Sequence, residues 1–190
     1  MEAIKNLSDL RNQVNQLWRS QKLALAIELI EQYPQYYETD SEAAFFFGSL
    51  YAENKQFNES NLLFDKALAI NPELSICHYQ KCLLNIVNGS AVDLTLHFNF
   101  LLSLPDSNYL NHFAKGLICV LNDDVEQANN CFVQGKQLNT DNQALNQDID
   151  TIIALINQSD SDNSNQPEIA IDELSTETNS VLLDIYNSKY

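Results

Sequence analysis

Positive charge is scarce in this 190-residue chain: ten lysines and arginines stand against 26 aspartates and glutamates, giving a formal net charge of −16. So acidic a surface repels nucleic-acid phosphates and anionic lipid headgroups, which excludes nucleic acid as an expected partner. Long apolar runs are missing too. No stretch approaches the roughly 20 apolar residues of a membrane span, and the start, MEAIKNLSDLRNQ, has an acid at its second position and no apolar run of signal-peptide length. A soluble, cytoplasmic protein without membrane insertion is the expectation. Catalytic signatures are also absent: there is no HExxH, no Gly-rich phosphate loop and no serine elbow. The four cysteines, Cys77, Cys82, Cys119 and Cys131, form no CxxC pair. We therefore expect no enzyme, no metal and no cofactor. No run alternates with period two, which excludes a sheet.

What the chain does carry is helical periodicity. Apolar residues recur at three- and four-residue steps over roughly 3–19, 23–32, 41–54, 57–70, 73–87, 90–103, 108–121 and 124–137. Ser41 before Glu42, Ser90 three residues before Asp93, and the Asn122-Asp123-Asp124 cluster read as helix starts. A further helix over 141–158 has Leu145, Ile149, Ile152, Ile153 and Ile156 on one side and Asn142, Asn146, Asp148 and Asp150 on the other.

Between Ala44 and Pro72 the sequence reads AFFFGSLYAENKQFNESNLLFDKALAINP, with Gly48, Tyr51, Phe64, Ala67 and Pro72 at the spacing of a two-helix unit. Gly48 supplies the small residue needed where two helix backbones nearly touch, Phe64 and Ala67 form the facing stripe, and Pro72 ends the second helix. Stepping by about 34 residues, the Gly48 slot falls on Val14, Cys82 and Gly116, and the Phe64 slot on Ile30, Phe98 and Phe132. All are small or apolar. The Tyr51 slot drifts to Leu17, Asn85 and Cys119. The pattern resembles the tetratricopeptide repeat family, most clearly in 41–74.

That resemblance implies an all-α, right-handed superhelical stack of antiparallel helix pairs. Its units are approximately 7–40, 41–74, 75–108 and 109–140, with a capping helix at 141–158 and an acidic, flexible tail over 159–190. It also implies a non-enzymatic scaffold or adaptor whose concave groove, lined by the first helix of each unit, binds another protein as a peptide or amphipathic helix. Carried over residue by residue, the groove comprises Arg11, Asn15, Trp18, Phe45, Phe46, Ser49, Tyr79, Gln80, Leu83, Phe113 and Leu117, with Ile86 and Val120 beside them. Arg11 and Asn15 would also suit a chaperone-carboxylate clamp. Phe46, Ile76 and Gln80 stand where that clamp needs an Asn and two cations, so it is excluded. An alternative is that these aromatic positions only thicken the core and leave no groove.

Within the tail, Val181, Leu182, Leu183, Ile185 and Tyr186 form an apolar island amid acid. They could dock into the chain's own groove or that of a second copy in a homodimer. Two other functions fit the same architecture: a small cytoplasmic chaperone for exported proteins of the type III secretion kind, and a regulatory subunit of an enzyme. The cysteines read as reduced packing residues, and His78, His97 and His112 as packing residues at repeat positions.

Overall fold

The computed structural model describes residues 4–90 and 93–163, with side chains as far as Gln158. Among the described residues there are nine α-helices, one 3-10 turn and no strand. The helices are α1 (Leu7–Arg19), α2 (Leu23–Glu31), α3 (Ser41–Glu53), α4 (Phe57–Ile70), α5 (Ser75–Val87), α6 (Thr95–Ser103), α7 (Tyr109–Leu121), α8 (Val125–Leu138) and α9 (Gln143–Asn163). They are arranged as antiparallel helix pairs, and the chain divides into two compact units between Cys77 and His78. In the first unit α1 packs on α2 and α3 on α4, with α2 against α3; in the second α7 packs on α8, flanked by α6 and α9.

The turns inside the pairs carry the repeat most faithfully. Gln21, Lys55, Gly89 and Asp123 adopt left-handed backbone, with φ of 58°, 60°, 59° and 57°. Each stands 34 positions after the one before. Every one closes the first helix of its pair in the same way: the next amide donates back to a carbonyl five residues earlier. These bonds are Lys22 to Leu17 at 3.0 Å and, all at 2.9 Å, Gln56 to Tyr51, Ser90 to Asn85 and Asp124 to Cys119. This is a Schellman closure, which satisfies carbonyls that the helix end leaves without partners. Since the acceptor is a backbone oxygen, the drift of side chains at the Tyr51 slot leaves the closure intact.

Close approach comes next. A Cβ on Gly48 would stand 2.8 Å from Cδ1 of the buried Phe64 ring, and one on Gly116 would run into the Phe132 ring. These are the expected small-residue and aromatic slots, now face to face. Around the first lie Leu10, Val14, Ala26, Ile27, Ile30, Phe47, Leu50, Tyr51 and Leu63, the core of the first unit.

Buried asparagines finish helix ends. Asn111 on α7 donates its amide to the carbonyls of Leu102 (3.1 Å) and Leu104 (2.9 Å), which closes α6. Asn139 and Asn146, both buried, clasp each other: Asn139 Nδ2 donates to Asn146 Oδ1 at 2.8 Å, and Asn146 Nδ2 donates to the Asn139 carbonyl at 3.0 Å. The clasp holds the corner between α8 and α9.

Several helix boundaries differ from the periodicity, each for a local reason. α1 begins at Leu7 rather than near residue 3, because Asn6 caps it by accepting from the Asp9 amide at 2.9 Å. Asp40, not Ser41, caps α3, accepting from the Ala43 amide at 2.7 Å. Ser90 belongs to the closure of α5, so α6 starts only at Thr95, whose amide donates to Asp93 at 2.9 Å. Asp124 does cap α8, while Asp123 belongs to the preceding turn. α9 continues to Asn163, past the expected end at 158, since the chain offers no Gly or Pro before Pro167.

Three stability changes follow. At Lys55 a left-handed L-residue costs roughly 1–2 kcal/mol, whereas glycine adds about 0.5–1 kcal/mol of unfolded-state entropy. Lys55→Gly is therefore expected to stabilise by about 0.5–1 kcal/mol, and Gly89→Ala to destabilise by a similar amount, read as urea midpoints. Gly116→Ala gains at most about 1 kcal/mol of helix propensity but overpacks the buried Phe132 ring at about 1–3 kcal/mol. Its expected net effect is a loss, seen as a melting temperature lower by a few degrees.

Candidate interaction surface

In the first unit, two contacts lay α1 alongside α3 in the same direction. Near the start of both helices Arg11 reaches Asp40, the cap of α3, at 3.8 Å. Near their ends the Trp18 indole N–H donates to Glu53 Oε1 at 2.8 Å. Arg11, Asn15 and Trp18 share one face of α1, spaced four and then three residues apart. Phe46, Ser49 and Glu53 share one face of α3, spaced three and then four. Five of the sequence-predicted groove residues thus come together along adjoining helices. Trp18 is 38% exposed, and Arg11, Asn15, Phe46 and Ser49 are half-buried. Polar atoms on this surface are partly engaged: Ser49 Oγ donates to the Phe45 carbonyl at 3.0 Å. Asp40 and Glu53, which sequence reasoning passed over, hold the two faces together. Their signal was the helical register that puts Glu53 seven residues after Phe46.

Phe45 takes a different direction. Its ring stacks on Phe64 of α4, with centroids 5.7 Å apart, because a residue three before Gly48 lies on the face that Gly48 turns toward the second helix. The same register in the second unit behaves likewise. Phe113, three before Gly116, is fully buried, and its ring lies where a Cβ on Gly135 would have to go. Tyr79 meets Phe113 with centroids 5.9 Å apart and is also fully buried. Leu83 and Leu117 are buried, as are the neighbouring Ile86 and Val120. Tyr79, Leu83, Phe113 and Leu117 were expected on a groove, and the structure places them in the core. α5 allows nothing else, since from Cys77 to Val87 every side chain but the half-buried Gln80 is buried. The tail residues Val181, Leu182, Leu183, Ile185 and Tyr186 lie outside the described residues.

The histidines pair in a way that repeat spacing did not indicate. His78 on α5 and His97 on α6 meet Nδ1 to Nδ1 at 2.8 Å, one ring donating to the other. His78 also stacks on Phe100, with centroids 4.1 Å apart. His112, one period after His78, instead contacts the Asp106 carbonyl through Nε2 at 2.8 Å. Burial pushes the Cys82 thiol up to about 12, and the buried Cys77 thiol contacts the Phe64 carbonyl at 3.6 Å. The Cys82 thiol is therefore a poor nucleophile near neutral pH. Among the described residues no group of three or more His, Cys, Asp or Glu is placed to hold a metal ion, and no helix is long and apolar enough to cross a membrane.

No family model matches the chain, and no curated protein does. Solved structures are similar to it over most of its length. One is MamA 41-end from Desulfovibrio magneticus RS-1 and another is the MamA RS-1 ArsTM double mutant. Each has a TM-score of 0.54, 12% identity, and coverage of 96% of both chains. At that identity the likeness is one of fold, an all-α solenoid of paired helices.

Substitution separates core from surface. Phe113→Ser removes a fully buried ring and is expected to cost at least about 3–5 kcal/mol, enough to unfold much of the second unit. Phe46→Ser, at a half-buried site, is expected to cost less than half as much and to retain native helicity. Circular dichroism with urea titration reads both.

Proposed function

We propose that this chain is a non-enzymatic protein–protein interaction module of the tetratricopeptide-like class, and that it engages its partner on the α1–α3 face of the first unit. The observation that carries this reading is the alignment of Trp18 and Phe46, with Arg11, Asn15 and Ser49 between and beside them, along two first helices fixed side by side by Arg11–Asp40 and Trp18–Glu53. Aromatic and arginine side chains in partly buried settings are the ones that most often dominate a binding interface. The paired-helix fold supports the same class, because such arrays present rigid helix faces on which a peptide or helix can dock.

The partner's chemistry follows from charge. A chain of net −16 attracts basic segments at long range and repels acidic ones. The fitting ligand is an extended peptide or amphipathic helix with one or two large apolar anchors flanked by lysine or arginine. A second reading rests on the SVLLDIY island, which supplies apolar anchors within the chain itself; in it the tail competes for the same face.

The test is affinity isolation with full-length chain, a Trp18→Ala/Phe46→Ser variant and a chain ending at residue 163. Each partner recovered is then titrated against purified protein. The double variant is expected to weaken binding at least tenfold while keeping its helical spectrum, and affinity should fall as salt rises. A chain lacking residues 164–190 binds more tightly if the tail competes and equally if it does not. Unchanged affinity in the double variant would overturn the assignment of this face.

A further inference from the structure

Of the nine residues of α6, only His97 and Leu101 are buried. A helix so short does not persist in water by itself, so α6 depends on the few side chains that attach it to its neighbours. His97 is one of them: its Nδ1 lies 2.8 Å from Nδ1 of His78 on α5. The His78 ring also stacks on Phe100, further along the same helix, with centroids 4.1 Å apart. Both histidines are buried. His78 therefore holds α6 at two points.

The bond between the rings has a proton requirement. An N–H···N contact between two imidazoles needs one protonated Nδ1 and one bare Nδ1. A neutral pair meets this, and so does a pair carrying one extra proton on an Nε2. Two imidazolium rings do not: two N–H groups then point at each other, and like charges face across a buried contact. The surrounding helices offer no counter-charge, since α5, α6 and α7 contain no aspartate or glutamate. Lys81 on α5 and His112 and Lys115 on α7 are basic; the other titratable groups are the thiols of Cys77, Cys82 and Cys119 and the phenols of Tyr79 and Tyr109. The nearest acids along the chain are Asp93, which caps α6, and Asp106, which binds Lys115 at 3.0 Å.

We propose that the His78–His97 pair is an acid-sensitive latch, which ties α6 to α5 while it carries no more than one extra proton and releases α6 when both rings become imidazolium. The sign follows from counting protons. An unfolded chain protonates both rings as the pH falls below about 6.5, whereas the closed pair holds one extra proton at most. The open state binds more protons than the closed one, so acid favours opening. Each pH unit below about 6.5 shifts the balance toward the open state by up to about tenfold. Opening uncovers Phe100 and Leu101.

The experiment compares the full-length chain with His97→Asn, by hydrogen–deuterium exchange at pH 7.5 and 5.5 and by urea unfolding from pH 8 to 5. Exchange rates are corrected for the intrinsic effect of pH. The asparagine amide replaces Nδ1 and pairs with His78 in either protonation state, so its contact survives acid. In the unaltered chain, α6 amides are expected to exchange several-fold faster at pH 5.5. Its unfolding constant should rise by up to about tenfold between pH 6.5 and 5.5, relative to His97→Asn. If His97→Asn does not fold, exchange in the unaltered chain decides alone. Equal protection of α6 at both pH values, or the same pH dependence of unfolding in a folded His97→Asn, would overturn the proposal.

Discussion

The left-handed residue at the end of each first helix is the constraint on which the rest depends. In three of the four cases it reverses the chain within three residues and sets where the second helix begins; between α5 and α6 seven residues intervene. It thereby decides which residues of the two helices face each other. With Gln21, Lys55, Gly89 and Asp123 spaced by 34 positions, Gly48 meets Phe64 and Gly116 meets Phe132. Glycine occupies only one of these four turns, so at the other three the paired helices must offset the conformational cost of a side chain at positive φ.

Much of the fold was legible in the sequence, because a helix pair is specified mostly by local periodicity and by a few size-limited contacts. The glycine and phenylalanine slots named the close approaches, and the absence of period-two patterns excluded strands. Caps were less legible. Asp40, Asn6 and Asp93 each lie one residue or more from where a Ser-plus-acid pattern points, since any short polar side chain can accept from the first free amides. The turn register was invisible because its consistent element is backbone; Gln, Lys, Gly and Asp share no side-chain property that a pattern could use.

For the candidate surface, the expected positions fall on helix faces that differ from one residue to the next. Phe45 and Phe46 are neighbours in sequence and about 100° apart on the helix, so Phe45 turns toward α4, where it stacks on Phe64, and Phe46 takes a different face. Choosing between them requires knowing which face Gly48 presents; in the second unit Phe113 stands in the same register before Gly116 and lies in the core. The burial of α5 has a different origin. Its run of Cys77, His78, Tyr79, Lys81, Cys82, Leu83, Leu84 and Asn85 mixes polar with apolar residues and gives little warning of a helix buried on nearly every side. Polar residues survive there by pairing, as His78 does with His97.

Trp18 is the single tryptophan of the chain. Its indole is 38% exposed and bonded to Glu53, a carboxylate on a different helix pair. The chain thus carries one tryptophan fluorophore, excited apart from its tyrosines at long wavelength and placed at the seam between its first two helix pairs rather than inside either. Its emission wavelength reports whether that seam is open, closed or covered by another molecule, with no label attached.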